Sequence, residues 1–478
     1  MPYKVRTRFA PSPTGYLHVG GIRTALFCWL LSRQNKGQFI LRLEDTDKKR
    51  EVPGADEHLM QSLRALGLDF DEGPDVGGTY GPYRQSERLE SYRKWAQKLI
   101  EKGRAYADPT SEEDLDQLRE VAKAAKKPFL YREHRPTRPP QWDGSQPLRL
   151  KSDPKPYTWH DEVMGDLSTG PEVVDDFILI KSDGFPTYNF SHIIDDAEME
   201  ISHIVRGQEF LASVPNYLNL YEALELDRPK MATVPHILGP GGNKKLSKRD
   251  GAKDVLDYVR DGFLPDALVN FIALLGWNDG TDQEIYSRDE LIQKFRLNQV
   301  QRSGARFDEQ RLIWMNGHYI RHKPIDTLHE LSKDFWPPPA KDSPDEYKKR
   351  ILALVQERLK YLAEIPKLTN FFFEDLPADI ELINSDKVLG KLEKPLLREL
   401  LVKSRGAIES SDFSLDHLNS TLNSLLEQTS QRPAVLFSLI RIATTWAPAS
   451  PGLADTVNLL GKDKCLQRID KAIVLLEK

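Results

Sequence analysis

The sequence predicts an α/β protein: an amino-terminal doubly wound parallel sheet, interrupted by an insertion and followed by an all-α carboxyl-terminal region. Three observations predict it. A strand, a proline-bearing turn, a glycine-opened helix and a second strand succeed one another between Tyr3 and Leu43. The parallel-sheet pattern breaks near residue 82 and resumes with FILIKSDGFPTY at Phe177. From about Glu346 apolar residues recur every three or four positions, and strand signals nearly vanish.

The first strand alternates with period two, Tyr3, Val5, Thr7 and Phe9 on one face and Lys4, Arg6 and Arg8 on the other. Pro11 and Pro13 stop it. After Gly20 and Gly21, the apolar positions Ile22, Ala25, Leu26, Trp29 and Leu30 keep helical spacing until Gly37 offers a cap. A second strand follows from Phe39 to Leu43. In such a unit the helix amino terminus faces the carboxyl edge of the sheet, where unpaired amides and the helix dipole attract phosphate. His18 stands there, among glycines that let a nucleotide approach the backbone. No G-x-G-x-x-G occurs, so this is not the dinucleotide fingerprint. On spacing alone, His18 is equally an ordinary loop histidine.

Residues 82 to 187 read as helix, basic loop and short strands inserted into the sheet domain. Lys123, Lys126, Lys127, Arg132, Arg135 and Arg138 cluster there, and Arg321, His322 and Lys323 form another basic patch. Either is a solvated face or a surface for a polyanion. Helices are expected near Ala252 to Asp261 and Pro265 to Leu275, and WPPPAKDSP from Trp336 marks a linker or corner. Beyond it, Ile351, Leu354, Val355, Leu359 and Leu362 form an apolar stripe that reads as core.

A chain of 478 residues is long enough for about three domains. With 39% hydrophobic and 29% charged residues it fits a soluble globular protein, and no apolar run is long enough to span a membrane. Two cysteines, Cys28 and Cys465, make no disulfide framework and suggest a reducing compartment, and the first strand begins without a targeting pattern. The cytoplasm is the expected location. A formal net charge of −5 means that a nucleic-acid partner must be held by local basic surface.

RFAPSPTGYLHVGG, from Arg8 to Gly21, resembles the first signature of class I aminoacyl-tRNA synthetases, in the form used by bacterial-type glutamyl-tRNA synthetases. The second signature of that class is matched by KLSKR, from Lys245 to Arg249, after the glycine-rich GPGGN. The resemblance continues through LEDTD, GPYRQSER, GFPTYNF, RGQEF, GFLPDALVN, FIALLGW and WMNG, covering nearly the whole chain.

The resemblance implies a Rossmann-like catalytic domain over residues 1–81 and 188–240 and an inserted acceptor-binding domain over 82–187. It further implies a basic-loop and stem-contact domain over 241–325 and a helical anticodon-binding region over 326–478. The implied reaction joins glutamate to ATP as glutamyl-adenylate, then transfers it to the terminal ribose of tRNA(Glu); whether tRNA(Gln) is also charged stays open. ATP with Mg2+ is the implied cofactor, and a monomer the family expectation. His18, Lys245, Ser247 and Lys248 are the implied catalytic residues. For ATP the resemblance adds Gly20, Gly21, Glu209 and Leu238 to His18 and Lys248, although RGQEF departs from the commoner RGED and RAEE forms. Arg8, Tyr188 and Arg206 match positions that hold the carboxylates of glutamate, and Glu44 and Ser12 positions near its ammonium. His192 lies where relatives carry an asparagine or an apolar residue. Arg358, in QERLKYL, falls in the anticodon-reading region. Some relatives hold zinc through a cysteine and histidine cluster in the insertion; neither cysteine lies there, so no zinc site is expected, and no metal-binding residue is assigned.

The rivals are a glutaminyl-tRNA synthetase and a non-catalytic RNA-binding descendant. The first usually reads PEPNG where this chain has PSPTG, and the second would be expected to have lost His18 or the lysines of KLSKR.

Overall fold

A computed structural model describes residues 4–246, 253–447 and 450–477. Ser247 and Lys248 lie outside the described residues. Two compact units result: the chain up to Val259 together with Pro265–Glu309, and Arg260–Leu264 together with the chain from Gln310 on.

The first unit opens with β1 (Arg6–Phe9), α1 (Val19–Gln34), β2 (Gln38–Leu41) and α2 (Ala55–Ala65). Next come α3 (Leu89–Glu101), β3 (Ala105–Ala107), α4 (Glu112–Ala124), β4 (Leu148–Leu150), β5 (Tyr157–Asp161), β6 (Gly165–Thr169) and β7 (Ile178–Ile180). The sheet pattern returns with α5 (Tyr188–Glu198), β8 (His203–Gly207), α6 (Val214–Leu224), β9 (Lys230–Val234) and β10 (Ile237–Leu238). After α7 (Val255–Arg260), the elements α8 (Pro265–Ala273), α9 (Arg288–Lys294) and β11 (Ala305–Arg306) complete it.

Among the described residues the principal sheet has six strands in the order β2-β1-β8-β9-β5-β6, parallel except for the edge strand β6. The chain leaves β1 toward β2 on one side and later lays β8 on the other. The point between β1 and β8 is therefore a topological switch, where the carboxyl ends of strands open a crevice.

Two features depart from the sequence pattern. The hairpin β5–β6 lies inside residues 82–187, yet β5 pairs in parallel with β9, so part of the expected insertion extends the principal sheet. The rest forms a separate antiparallel sheet, β3-β4-β7. The cap of α1 also differs: Asn35 ends the helix and Lys36 turns through φ 51°. Gly37 serves another purpose, since a Cβ there would come within 2.0 Å of the Val5 carbonyl oxygen. It lets the chain pass β1 closely enough to start β2.

The second unit is helical: α10 (Glu309–Arg321), α11 (Ile325–Leu331), α12 (Asp345–Val355), α13 (Ile365–Phe373), α14 (Glu381–Asn384) and α15 (Lys394–Ser410), then α16 (Leu415–Thr429), α17 (Pro433–Thr445), α18 (Leu453–Leu460) and α19 (Lys462–Leu476). Leu400, Leu436, Leu439 and Ile469 are central to its core. In the stripe beginning at Ile351, all but the partly buried Leu354 are buried, but the helix stops at Val355. There the Gln356 side-chain amide turns to donate to the carbonyls of Ile320 and Arg321, at the end of α10, and of Lys323 just beyond it. Cys28 and Cys465 are buried thiols in α1 and α19.

Candidate active site

The carboxyl ends of β1 and β8 and the amino terminus of α1 enclose a cleft of about 690 Å³. Arg8, Ser12, His18, Gly20, Gly21, Glu44, Tyr188, Arg206, Glu209 and Lys245 all line it. Leu238 does not; it is in β10, one residue beyond the lining residue Ile237. Arg358 belongs to the second unit.

His18 is the N-cap of α1, with extended backbone, and its Nδ1 accepts a hydrogen bond from the Gly20 amide at 3.0 Å. That bond fixes the tautomer of the neutral ring, because Nδ1 must carry the lone pair and Nε2 the proton. Nε2 then carries the N–H of the ring. A Cβ at Gly20 would come within 2.9 Å of the imidazole, so glycine is what allows this bond.

Arg8 and Arg206 occupy neighbouring parallel strands, and both are buried. Arg8 donates through Nε and Nη2 to Asp196 at 3.0 and 3.3 Å. Arg42 reaches the same carboxylate at 2.7 Å and also Glu44 at 3.0 Å, with Asp195 at 3.6 Å. Burial alone would raise the Asp196 carboxyl, but Arg8 and Arg42 hold it well below the usual carboxylate range. Glu44 goes the other way, pushed up to about 7 by burial despite Arg42 and Arg8. Asp195 is also raised, burial outweighing Arg42 and Arg88. The cleft wall thus holds two cations, one firmly ionised carboxylate behind them and one carboxyl poised near neutrality.

Arg206 is differently employed. Its guanidinium lies over the Tyr217 ring at 4.9 Å, Nη2 touches the Met231 sulfur at 3.8 Å, and Nη1 is buried without a partner among the described residues. A buried guanidinium donor left without an acceptor is costly, which suits a wall built to receive an anion. Tyr188 stacks on His192 at 4.7 Å and leans on Phe210. The His192 ring, whose Nδ1 donates to the Tyr188 carbonyl at 2.7 Å, is pushed down to about 3 by burial and Arg206, so it packs there as a neutral ring.

On the opposite side Glu209 stands 3.5 Å from Lys245 and 3.8 Å from His236. Arg42, Asp195 and Asp196 escape a sequence reading: the two acids look like the polar face of a helix, and nothing local marks them as buried. Two members of the basic cluster at residues 123–138 are committed internally, Arg132 to the carbonyls of Pro171 and Val174 and Arg135 to Asp176.

A family model described as tRNA synthetases class I (E and Q), catalytic domain, matches residues 4–314, and one described as an anticodon binding domain matches residues 327–473. The chain is 40% identical to a glutamate–tRNA ligase of Dehalococcoides mccartyi, over 100% of this chain and 99% of that one. It is 41% identical to a glutamate–tRNA ligase of Clostridium botulinum, over 98% of each. Among solved structures, a glutamate tRNA ligase from Elizabethkingia meningosepticum in complex with its amino acid superposes with a TM-score of 0.90 at 33% identity, covering 99% of this chain and 100% of that one.

Proposed function

The chain belongs to the class I tRNA synthetases of the glutamate and glutamine family, and on that premise we propose how its cleft carries out the reaction of a glutamate–tRNA ligase. The observation that carries the proposal is the convergence of Arg8, Arg206 and Glu44 on one cleft beside the His18 helix terminus. Glutamate brings two carboxylates and one ammonium, and the cleft offers two cations and one acid.

In this reading Arg206, through its unsatisfied Nη1, and Arg8 take the carboxylates, with the Tyr188 hydroxyl beside them. Glu44 receives the ammonium, assisted by Ser12. ATP enters as its Mg2+ complex along α1, with Gly20 and Gly21 leaving room for it, His18 Nε2 donating to a phosphate oxygen, and Glu209 and Leu238 on the nucleoside side. The α-carboxylate of glutamate attacks the α-phosphorus, and the bond to pyrophosphate breaks. Lys245, Ser247 and Lys248 are assigned to the departing pyrophosphate, where cations oppose the developing charge. A terminal ribose hydroxyl of tRNA then attacks the acyl carbon and AMP leaves.

Residues 82–187 are assigned to the acceptor end, 241–325 to the stem and 326–478, with Arg358, to the anticodon of tRNA(Glu). The same reading makes the enzyme a cytoplasmic monomer. Charging of purified tRNA(Glu) and tRNA(Gln), each with glutamate and with glutamine, tests it. Glutamate on tRNA(Glu) is the expected product, and the tRNA(Gln) arm decides whether that acceptor is also used. Glutamine on tRNA(Gln) would make the chain a glutaminyl enzyme, and no charging in any arm would leave a binding protein.

A further inference from the structure

Asp254 is the second described residue after the basic segment KLSKR, and it meets three partners at once. Its backbone forms an antiparallel bridge with His18, the N-cap of α1. Its carboxylate divides: Oδ1 accepts from the Leu256 amide at 2.8 Å, opening α7, and Oδ2 lies 2.9 Å from Nε2 of His58 on α2. The His58 ring is itself braced, packing against the Tyr16 ring at 4.4 Å, and Tyr16 lines the cleft two residues before His18. The far side of the basic segment is held independently, through the bridge between Lys245 and Leu238 and the ion pair of Lys245 with Glu209.

We infer that the His58–Asp254 contact is a positioning device for the proposed adenylation, holding Asp254, on the carboxyl-terminal side of KLSKR, against the backbone of the phosphate-facing His18. The inference rests on the function proposed above. Its physical content is geometric. The lysines of KLSKR and the imidazole of His18 must meet opposite sides of one triphosphate, so an error in their separation falls directly on the transition state. Misplacement of this sort costs turnover far more than it costs ground-state binding. His58 and Asp254 touch no substrate group in this scheme; they act through the backbone between them. Both side chains are mostly buried, at 19% and 15% exposure, so the contact is largely shielded from water.

The test is glutamate-dependent ATP–pyrophosphate exchange with tRNA present, on the full chain and on His58→Gln, Asp254→Asn and the double variant. Asp254→Asn retains an oxygen for the Leu256 amide, so α7 keeps its cap while the charge is lost. Each single variant is expected to lower kcat about tenfold, with KM for glutamate within about twofold of the parent, and the double variant to lose no more than the worse single one. A purely structural role would move KM and thermal stability together with kcat. Unchanged kcat, losses that multiply in the double variant, or KM for glutamate rising in step with the fall in kcat would each overturn the inference. Absence of exchange in the parent chain would instead overturn the proposed function, so the two failures are distinguishable.

Discussion

Arg8 and Asp196 form a bidentate pair in the wall of the cleft, the guanidinium donating through Nε and Nη2 at 3.0 and 3.3 Å. The pair sits almost entirely out of water, and Asp196 is shared with Arg42. Arg8 is thereby aimed: two of its donors are anchored, and among the described residues Nη1 is left with a long 3.5 Å contact to the Val205 carbonyl. A planar fork can be anchored at one edge and still present a donor to substrate in a fixed direction, whereas an ammonium on a flexible stem is not held in one orientation. Arg8→Lys is expected to raise KM for glutamate by about 10- to 100-fold and leave KM for ATP within about twofold. Steady-state charging kinetics check this. Arg8→Ala carries an added cost in stability of about 3 kcal/mol, because it strips one partner from a buried carboxylate, and urea unfolding reads that loss. Equal rises in both KM values would return Arg8 to a structural role.

Glu44 sets the pH dependence. Its carboxyl is pushed up to about 7 from an ordinary 4.5, burial being the cause, with Arg42 and Arg8 pulling it partly back. A carboxyl raised on folding favours the folded state fully below its ordinary value, and that contribution is lost as pH rises through about 7. Substrate binding has the opposite preference, since only the ionised form attracts an ammonium. KM for glutamate is therefore expected to rise about tenfold for each pH unit below 7. His192, a neutral ring down to about 3, adds nothing in that window. Glu44→Gln should abolish this slope, raise KM at high pH, and gain thermal stability relative to the parent as pH is raised from about 5 to 8. A variant with the parent's pH profile would remove Glu44 from the ammonium site.

Lys245 and Lys248 belong to the departing pyrophosphate in the proposed scheme. Lys245 faces Glu209 at 3.5 Å and is half-exposed, so its removal leaves no buried charge behind. Lys245→Ala and Lys248→Ala should each lower kcat by roughly a hundredfold, the scale of one lost transition-state donor, with folding intact. Pyrophosphate exchange in the presence of tRNA, alongside a thermal melt, measures both. Parent-like turnover in the two variants would detach the basic segment from the chemistry.

How much of this was legible in the sequence depended on the range of the interactions. His18 was readable because its partners are local: the glycines that follow it define the helix terminus, and its own Nδ1 bonds to Gly20 two residues away. Arg8 was readable near the end of the first strand, and Arg206 only through the family resemblance. The carboxylates that aim them were not. Asp195 and Asp196 sit in YNFSHIIDDAE, an ordinary amphipathic helix pattern, and are buried because Arg8, Arg42 and Arg88 converge from more than a hundred residues upstream. The hairpin β5–β6 was hidden for a similar reason. Its strands, YTWHD and GDLST, alternate like any exposed ribbon, and only the non-local pairing of Asp161 with Met231 joins them to the principal sheet. Gly37 misled locally, since a glycine after a helix resembles a cap even when close approach of two strands is what requires it.

Arg358 is exposed, in a 3-10 turn spanning Gln356–Arg358, immediately after α12 ends. Its Nη1 donates to the Ser450 carbonyl at 2.7 Å, and Arg441 donates through Nε to the Ser450 hydroxyl at 3.1 Å. Two guanidinium groups thus meet at one serine, and burial together with Arg358 lowers the Arg441 value. Among the described residues no carboxylate stands between these cations, which leaves a positive spot, and Arg358 keeps further donors for the edge of an unstacked base. If this spot reads the anticodon, Arg358→Gln should change the ratio of tRNA(Glu) to tRNA(Gln) charging while leaving KM for glutamate and for ATP within about twofold. Arg441→Gln should change the ratio in the same direction and by less, because its guanidinium is half-buried. The comparison must be made at matched salt, since loss of a phosphate contact would weaken both tRNAs alike and flatten the salt dependence. A parent-like ratio with uniformly weaker charging would make Arg358 a phosphate contact, and parent-like charging of both tRNAs would leave it a surface arginine that braces Ser450.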